Sequence, residues 1–563
     1  MNKLSILLIV SMVMLITACG GDSETVSTNS EPNAEDMKPT QPSKLFSNVT
    51  EQSGLDYVNG YQRMTNLSEA QKFCGGVAVG DFDNDGLIDL FIVRGDIGRH
   101  LLYRNLGNNQ FKEISFDVGI NIQDHFGCGP TFVDIDGDED LDLFIGGIGG
   151  HPSYLLENTK NSDGKIIFED ITDYSGLGGI VVKNTISASF GDYNKDGLLD
   201  IFLTHWGVSG SAPKQHLWKN IGDKQFINTT QESGLAEQLI KTPTSNATFG
   251  SNTDYSFSAT FADINNDHFA DLLLAADFGT TQVFLNDQRG QFYNATSNVI
   301  KDENGMGSAV GDIDNDGDLD WFVSAIYGLN LLGNRLYINQ DNNLNSKELF
   351  SDETIKLELE DGGWAWGACM SDFNGDGFLD IFHATGWSAG LFGIDYSEDY
   401  SRLYLSDRSQ QSEGSSSLKF VESAFSSGIT DTEQGRAVVC FDSDQDGDVD
   451  VLVLNNDDKA AILYRNNSAN DSHYLTINLK GISPNTQAIG AKIYIKAGDL
   501  QQMREVTLGN NFTSHNPTEQ YFSFASHNSI DELRVEWPEG NVTVINNIIV
   551  NQRYTLEHPK KQQ

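Results

Sequence analysis

The chain has 563 residues, of which 80 are Asp or Glu and 36 are Lys or Arg, so its formal net charge is -44. This acidic excess excludes nucleic-acid binding through a net electrostatic field and is compatible with metal cations as ligands. The 55 glycines and the many aromatic residues exclude a disordered acidic chain and indicate a β-rich globular protein.

The N-terminus has the features of an export signal. Lys3 precedes an apolar stretch over residues 4–16 that is short for a membrane span. The sequence Ile16-Thr17-Ala18-Cys19 resembles the lipobox of bacterial lipoproteins. This resemblance implies that residues 1–19 are a lipoprotein signal peptide and that Cys19 is lipidated, and Gly20 after the cysteine favours the outer membrane. An ordinary secretory signal is the alternative.

The segment that follows the signal has no apolar period. Residues 20–44 are rich in Ser, Thr, Asn, Pro and Glu, so we expect a flexible tether. The predicted location is the bacterial cell envelope, with the protein attached to the outer membrane through its N-terminal lipid only.

A nine-residue pattern, Asp-x-[Asp/Asn]-x-Asp-x-x-x-Asp, occurs seven times, and we number its copies loop 1 to loop 7. Positions one, five and nine are Asp in all copies, and position three is Asp or Asn. The side chains predicted to bind metal are Asp81, Asp83, Asp85 and Asp89 in loop 1; Asp134, Asp136, Asp138 and Asp142 in loop 2; Asp192, Asn194, Asp196 and Asp200 in loop 3; Asp263, Asn265, Asp267 and Asp271 in loop 4; Asp312, Asp314, Asp316 and Asp320 in loop 5; Asp372, Asn374, Asp376 and Asp380 in loop 6; and Asp442, Asp444, Asp446 and Asp450 in loop 7.

The predicted metal is calcium, with up to seven ions, because Ca²⁺ prefers about six to eight hard oxygen ligands, whereas transition metals prefer His or Cys. Position six is Gly in five loops, as expected where the backbone needs a positive φ. Loops 2 and 4 have Glu139 and His268 there and are the weakest predicted sites, and we expect the His268 side chain to point to solvent. The alternative is that the Asp-Gly turns only separate strands.

Two further motifs follow the Asp loops, except that the second of them is missing after the last loop. One is typified by Leu-Tyr-Arg-Asn at 102–105 and the other by Phe-Glu-Asp-Ile-Thr at 168–172. Together they indicate four short strands per unit, the size of a propeller blade. Phe46-Ser-Asn-Val-Thr50 is an isolated copy of the second of these motifs, whereas none follows Leu463-Tyr-Arg-Asn466. The N-terminal strand is therefore predicted to complete the seventh blade and close the ring; an open array of β-units is the alternative.

Four cysteines lie shortly before Asp loops in this predicted exported chain. Disulfides Cys74–Cys128 and Cys369–Cys440 would join neighbouring blades, but four cysteines allow three pairings and free buried thiols are an equal alternative.

The repeated loops, such as Gly80-Asp-Phe-Asp-Asn-Asp-Gly-Leu-Ile-Asp89, resemble the FG-GAP/VCBS repeats of integrin α-type propellers. With Trp364-Ala-Trp366-Gly367 and the Leu-Tyr-x-Asn motif, the chain resembles the cartilage-acidic-protein-1-like group, which commonly ends in an ASPIC/UnbV domain. The segments Ala488-Ile-Gly-Ala491 and Leu533-Arg-Val-Glu-Trp537-Pro-Glu-Gly540 are similar to that domain.

The predicted fold is therefore all-β: a seven-bladed β-propeller over residues 45–467, followed by a small β-sandwich-like ASPIC/UnbV domain over residues 468–560. Alternation of apolar and polar residues in Tyr474-Leu-Thr-Ile-Asn-Leu479 independently favours strands in the second domain.

The sequence contains no motif that we assign to catalysis, so the predicted function is non-enzymatic binding of an unidentified protein or glycan partner, in an adhesion or scaffold role. An exported enzyme acting on a polymer or small molecule from a propeller face is the alternative. His205, Trp206, His383 and Trp387 either edge such a pocket or pack on a propeller face, and the Arg94-Gly95-Asp96 tripeptide is attributed to chance.

Overall fold

The computed structural model describes residues 44–55, 57–61, 67–210, 212–239, 252–328, 331–340, 348–391, 394–407, 418–456, 458–468, 473–509 and 511–562. The predicted signal peptide, Cys19 and almost all of the predicted tether lie outside these residues. Among the described residues, no helix is both long enough and apolar enough to cross a bilayer.

Short antiparallel strands dominate the first part of the chain. In chain order these are β1 (Phe46–Asn48), β2 (Val58–Asn59), β3 (Gly76–Gly80), β4 (Asp89–Val93), β5 (Leu101–Asn105), β6 (Phe111–Glu113), β7 (Gly127–Val133), β8 (Asp142–Gly147), β9 (Tyr154–Lys160), β10 (Ile166–Asp170), β11 (Ala188–Gly191), β12 (Asp200–Leu203), β13 (Trp206–Ser209), β14 (Leu217–Asn220), β15 (Phe226–Asn228), β16 (Thr253–Ala262), β17 (Asp271–Ala276), β18 (Gln282–Asn286) and β19 (Phe292–Asn294).

The same alternation continues to the last Asp loop. The strands are β20 (Gly305–Gly311), β21 (Asp320–Ala325), β22 (Tyr327–Gly328), β23 (Leu331–Leu332), β24 (Arg335–Asn339), β25 (Phe350–Asp352), β26 (Ala365–Ser371), β27 (Asp380–Thr385), β28 (Trp387–Leu391), β29 (Ile394–Tyr396), β30 (Arg402–Ser406), β31 (Phe420–Glu422), β32 (Gly435–Phe441), β33 (Asp450–Asn455), β34 (Lys459–Ala460) and β35 (Ile462–Asn466).

Helices are few and short. They are α1 (Thr50–Ser53), α2 (Glu69–Phe73), α3 (Leu235–Gln238) and α4 (Ala424–Ser427), with 3₁₀ turns at Ser115–Val118, Leu177–Gly179 and Pro559–Gln562.

Each Asp loop joins two paired strands of one antiparallel sheet, which we count as its first and second strands, and we number the seven sheets after their loops; β13 is an extra edge strand beside the first strand of sheet 4. Their strand orders are β3-β4-β5-β6, β7-β8-β9-β10, β11-β12-β14-β15, β13-β16-β17-β18-β19, β20-β21-β24-β25, β26-β27-β30-β31 and β32-β33-β35-β1. Position nine of every loop is the first residue of the second strand, so the Asp pattern marks the turn between two paired strands. The predicted all-β fold is confirmed.

The N-terminal strand belongs to the last sheet, as the orphan motif predicts. Phe46 pairs with Asn466 and Asn48 with Tyr464 at the edge of sheet 7. The apolar core lies between neighbouring sheets, and one such cluster joins Val77 and Leu90 of sheet 1 to Leu452 of sheet 7. The order of packing thus returns from the seventh sheet to the first.

The first strands of the sheets converge on an aromatic cluster. Phe73 at the end of α2 lies 4.9 Å from Trp206 and 5.6 Å from Trp366, measured between ring centroids. From the C-terminal part of the chain, Phe512 lies 5.2 Å from Trp366 and 5.3 Å from Phe257. Rings from α2 and from the C-terminal part of the chain therefore pack together with the rings of the sheets.

The C-terminal part forms two further sheets. Its strands are β36 (Tyr474–Lys480), β37 (Lys492–Ala497), β38 (Leu500–Glu505), β39 (Gln520–Ser523), β40 (Ser529–Glu536), β41 (Val542–Ile549) and β42 (Gln552–Glu557), in the orders β39-β36-β42 and β38-β37-β40-β41. One apolar cluster contains Phe190 and Ile201 of sheet 3 together with Leu508 and Leu533, and Lys44–Gln563 form one compact unit. The C-terminal part therefore shares a core with the seven sheets.

Candidate metal centres

The seven loops adopt one hydrogen-bonded turn. In loop 1 the backbone N–H of Asp85 donates to Asp81 Oδ1 over 2.9 Å, and the N–H of Gly86 donates to Asp81 Oδ2 over 2.8 Å. The same two bonds from positions five and six to the carboxylate of position one recur in every other loop. Position one is therefore Asp because its carboxylate satisfies two backbone donors of the turn.

Position six has positive φ in all loops, as predicted. The glycines there have φ of 88° to 99° at Gly86, Gly197, Gly317, Gly377 and Gly447. Glu139 and His268 adopt φ of 72° and 67° in the same turn, which costs roughly 1–2 kcal/mol for a residue with a Cβ. Loops 2 and 4 therefore keep the turn in spite of the unfavourable residue.

The Asp at position nine is buried where each loop meets the following strand. In loop 1, Asp89 accepts the N–H of Phe82 over 3.3 Å and the N–H of Asn105 over 2.7 Å. Its counterparts each accept the N–H of the residue that ends the Leu-Tyr-x-Asn motif, from Asn158, Asn220, Asn286, Asn339, Ser406 and Asn466. Position nine therefore connects the loop to the third strand of its own sheet.

In four loops the side chains of three Asp residues converge. Each offers one carboxylate oxygen, and the three oxygens lie within 4.8 Å of one another: Asp81, Asp83 and Asp85; Asp134, Asp136 and Asp142; Asp312, Asp314 and Asp316; and Asp442, Asp444 and Asp450. These are the four loops with Asp at position three. Such a set of hard oxygen donors fits Ca²⁺. The His268 imidazole of loop 4 is 71% exposed, as predicted.

Burial raises the pKa of these carboxyl groups in the metal-free protein. Desolvation is the main cause and the neighbouring carboxylates add to it, raising the pKa of Asp312 and Asp442 to about 8 and that of Asp89 to about 9. Backbone N–H donors act in the opposite direction and only partly offset the effect. Cations or protons are therefore needed to neutralise the loops.

Basic side chains at the edge of the loops supply part of that charge. Arg104 lies 2.6 Å from Asp83 and 2.9 Å from Asp85, and Lys219 lies 2.8 Å from Asp196. The Arg104 side chain is 43% exposed and that of Lys219 is 31% exposed. Such exposed pairs contribute little and can turn away when a metal binds.

Sequence reasoning missed the role of the Asn that ends the Leu-Tyr-x-Asn motif. Its side-chain amide donates to the position-two carbonyl of the preceding loop: Asn158 to Phe82, Asn220 to Ile135, Asn286 to Tyr193, Asn339 to Ile264, and Asn466 to Phe373. Asn105 of sheet 1 donates to Ser443 of loop 7 over 3.0 Å. Sheet 6 has Ser406 instead, whose hydroxyl has no hydrogen-bond partner among the described residues. The seven-fold recurrence of the motif was the signal that an inter-sheet contact was involved.

The C-terminal domain covers the ends of several loops, which the sequence did not predict. The hydroxyl of Thr486 donates to Asp134 of loop 2, and Arg553 Nη1 lies 2.9 Å from Asp442 Oδ2 of loop 7. Lys492 Nζ lies 2.8 Å from Asp263 Oδ2 of loop 4. The position-one carboxylates of loops 2, 4 and 7 therefore bond to this domain.

Both disulfides that the sequence left as one of two equal alternatives are present. Cys74 and Cys128 join sheets 1 and 2 with Cα atoms 5.2 Å apart, and Cys369 and Cys440 join sheets 6 and 7 with Cα atoms 6.5 Å apart. The alternative of four free thiols is therefore excluded.

The histidines singled out in the sequence are buried. His205 contacts the carbonyl oxygens of Asn184 and Gln215 at 3.0 and 3.1 Å, and His383 contacts Asn334 at 3.1 Å. Burial lowers the pKa of His205 to about 4 and that of His383 to about 3. Both act as packed and hydrogen-bonded residues between strands, and Trp206 and Trp387 belong to the aromatic cluster.

Comparison with known proteins agrees with these features. Residues 81–145, 134–203 and 263–323 match the FG-GAP-like repeat model, which covers the first five Asp loops, and residues 481–563 match the ASPIC and UnbV model. Cartilage acidic protein 1 of Xenopus tropicalis is 24% identical over 211 residues, which are 38% of this chain and 29% of that protein. The resemblances of the Asp loops to FG-GAP repeats and of the C-terminal part to the ASPIC/UnbV domain are confirmed.

Similarity to solved structures is weak. Rhamnogalacturonan lyase YesW aligns over 70% of this chain and 72% of its own, with 13% identity and a TM-score of 0.25. The Chaetomium thermophilum Nup170 N-terminal domain in complex with Nup53 aligns over 69% of this chain and 58% of its own, with 10% identity and a TM-score of 0.33. Scores this low say nothing about function.

Proposed function

We propose that this chain, which carries FG-GAP-like repeats followed by an ASPIC and UnbV domain, is a calcium-stabilised, seven-bladed propeller of the bacterial cell envelope. In this proposal Cys19 carries the lipid anchor, and the protein binds a protein or glycan partner without catalysing a reaction. The observation that carries it is the identical hydrogen-bonded turn in seven loops, with clustered carboxylates whose pKa is raised by burial.

Calcium is the ion that this chemistry favours. The four converging clusters offer only oxygen ligands, and extracellular sites of such ligands bind Ca²⁺ at roughly 10⁻⁴–10⁻³ M. The Asp316 carboxyl, whose pKa burial and the neighbouring Asp314 raise to about 6, would be deprotonated by a bound ion. We therefore assign the loops a structural role: they hold adjacent strands together and do not recognise the partner.

The partner is assigned to the end of the sheets opposite the loops. The loop end is covered in part by the C-terminal domain. The opposite end carries Trp206, Leu331, Leu332 and Trp387, in the segments that follow β12, β21 and β27. Leu332 is 42% exposed and Trp206 and Trp387 are half-buried. Aromatic and aliphatic side chains at a polar edge are common in binding surfaces.

A capture experiment tests this assignment. Soluble protein beginning at Ser43 is used to capture partners from envelope extracts, beside a Leu332→Asp variant and a Val544→Asp control. Val544 is 48% exposed on the C-terminal domain, so the two substitutions add the same charge at similar exposure on different surfaces. We expect Leu332→Asp alone to lose the captured partner. Equal capture by all three proteins would contradict the assignment.

Lipidation of Cys19 is tested by a separate experiment. Mass spectrometry of the membrane-extracted protein should find a diacyl or triacyl group on Cys19, and Cys19→Ala should release the protein into the soluble fraction. An unmodified Cys19 would contradict lipidation. An exported enzyme is the alternative function, and turnover of an envelope polymer by the soluble protein would establish it.

A further inference from the structure

Loop 4 is distinguished from the other loops by a buried lysine from the C-terminal domain. Lys492 Nζ lies 2.8 Å from Asp263 Oδ2 and donates to the Asp263 carbonyl oxygen over 3.2 Å and to Asn266 Oδ1 over 2.6 Å. The ammonium group is therefore bonded to three oxygen atoms of one Asp loop. Its side chain is only 3% exposed.

The surroundings of Lys492 hold it in place. Lys492 is the first residue of β37, where its backbone pairs with Glu505 on one side and Glu536 on the other. The carboxylate of Glu505 lies 3.9 Å from Lys492 Nζ and accepts the N–H of Asp263 over 3.1 Å. A buried cation with two carboxylates is stable only where it stays paired, so this lysine cannot turn to solvent.

The basic residues at other loops differ in this respect. Arg104, Lys219 and Lys224 contact loops 1, 3 and 2 from partly exposed positions on the sheets, with side chains 43%, 31% and 25% exposed. Arg504 of the C-terminal domain is buried, and its charge opposes the rise in the pKa of Asp312 in loop 5 and Asp372 in loop 6. Its guanidinium group donates to Met503 and Gln502, whereas the ammonium group of Lys492 bonds directly to loop oxygens. Arg553 reaches loop 7 from the C-terminal domain, but it is 25% exposed and is shared with Glu519. The carboxylates of Asp442, Asp444 and Asp450 still converge beside it.

The rest of loop 4 also differs from a strong calcium loop. Position three is Asn265, position six is the strained His268, and the position-five carboxylate of Asp267 accepts the side-chain amide of Gln288 over 3.1 Å. Loop 4 therefore has one carboxylate fewer than loop 5, and its position-one carboxylate is already paired with a buried ammonium group.

We propose that Lys492 takes the place of calcium at loop 4, so that this loop is closed by a protein cation and binds no metal. This inference rests on the proposed calcium binding of the other loops. It makes Lys492 a docking residue that fixes the C-terminal domain on sheet 4 through the charge that a metal supplies elsewhere.

Calcium counting tests the inference. Equilibrium dialysis with ⁴⁵Ca²⁺ gives the number of ions per chain for the wild type, Asp267→Ala and Asp316→Ala, which remove the same position from loops 4 and 5. We expect Asp316→Ala to lose one ion and Asp267→Ala to lose none. Loss of one ion from both variants would overturn the inference and leave calcium binding intact.

A second variant tests whether Lys492 is the reason that loop 4 binds no calcium. Lys492→Met removes the charge but keeps much of the side-chain volume, leaving Asp263 and Glu505 without their cation. We expect it to gain one calcium ion, and the gain to disappear in Lys492→Met/Asp267→Ala. If Lys492→Met does not fold, the first pair of variants still decides the matter. A wild type that binds no calcium would overturn the proposed function and this inference together.

Discussion

The two ends of the sheet assembly are built by different means. At the loop end, one nine-residue pattern makes the same turn seven times, in which the position-one carboxylate accepts two backbone N–H groups, and an Asn from the next sheet reaches the position-two carbonyl of six loops. At the opposite end, Trp206, Leu331 and Trp387 lie in segments of unequal length that share no pattern. In the function proposed above, the repeated end supplies stability and the irregular end, where loops vary most freely, specifies the partner.

Chelation should have the largest effect, because it acts on the loop end alone. With a dissociation constant near 10⁻⁴ M and about 2 mM Ca²⁺, each occupied site stabilises the folded state by roughly 2 kcal/mol. Removing calcium with EGTA should therefore lower the melting temperature by roughly 10 °C or more, measured by circular dichroism. Addition of Mg²⁺ in place of Ca²⁺ is the control and should restore little. An unchanged transition in EGTA would contradict a structural role for calcium.

The pH dependence of the chelated protein should have the opposite sign to that of most acidic proteins. Burial raises the pKa of Asp312 and Asp442 to about 8, above the unfolded value near 4, so the folded state binds more protons. The free energy of unfolding therefore falls as pH rises from about 4 to about 8 and levels off above that, by roughly 2.5 kcal/mol per such group between pH 6 and 8.5. Melting in EGTA at the two pH values measures this, and saturating calcium should remove the trend.

Loss of a disulfide should be next in size. Cys74→Ser/Cys128→Ser opens a link that encloses 54 residues of sequence, and such links contribute about 2–4 kcal/mol. Because this pair belongs to the aromatic cluster, we expect lower stability in urea without a change in the number of bound calcium ions. Altered calcium stoichiometry in this variant would mean that the two ends are not independent.

Asn339→Ala should show what one inter-sheet amide contributes. The Asn339 side chain is buried and donates to the carbonyl oxygens of Ile264 and Leu319 over 2.8 and 3.0 Å. Its removal leaves two carbonyl groups with fewer donors, at a cost of about 2 kcal/mol in the free energy of unfolding. The control is Asn121→Ala, at an exposed site away from the loops, which should change stability by less than about 0.5 kcal/mol. Equal stability of the two variants would mean that the inter-sheet amide contributes nothing.

Ser406→Asn should give the smallest effect, and a favourable one. Sheet 6 has Ser where the other six sheets have Asn, and the buried Ser406 hydroxyl has no partner within the part of the chain that the structure describes. An amide there would reach the loop 5 carbonyl in the way that Asn466 reaches Phe373, adding about 1 kcal/mol by urea denaturation. A loss of stability would show that sheets 5 and 6 pack too closely for the larger side chain.

The sequence predicted the parts of this molecule that repeat. Asp and Gly at fixed spacing are sufficient to specify a turn, and the positive φ at Gly317 follows from that spacing alone. The isolated Phe46 motif predicted the pairing with sheet 7 because it supplies one extra strand before the first loop, and the seventh unit lacks the strand of that motif. The first result depends only on the residues of one turn, and the second depends only on the number of copies of each motif.

Contacts between distant segments could not be obtained in this way. Nothing adjacent to Lys492 indicates that it meets Asp263, which lies 229 residues earlier and in a different sheet. The Phe512 ring likewise packs 5.2 Å from that of Trp366, although Phe512 belongs to the C-terminal part and the two residues lie far apart in the chain. Such contacts depend on how complete sheets are oriented, and alternation of apolar residues along one strand carries no information about that orientation.

The place of β1 in sheet 7 has a consequence for the order of folding. Residues 46–48 pair with residues 464–466, so the last edge of the assembly forms only after more than four-fifths of the chain has been made. Contacts so far apart in sequence form slowly, because a long chain must be confined before they are gained. Until then β35 is an open edge of sheet 7, and β1 has no strand to pair with. Pairing of the N-terminal strand β1 with β35 is therefore expected to be the last step of folding.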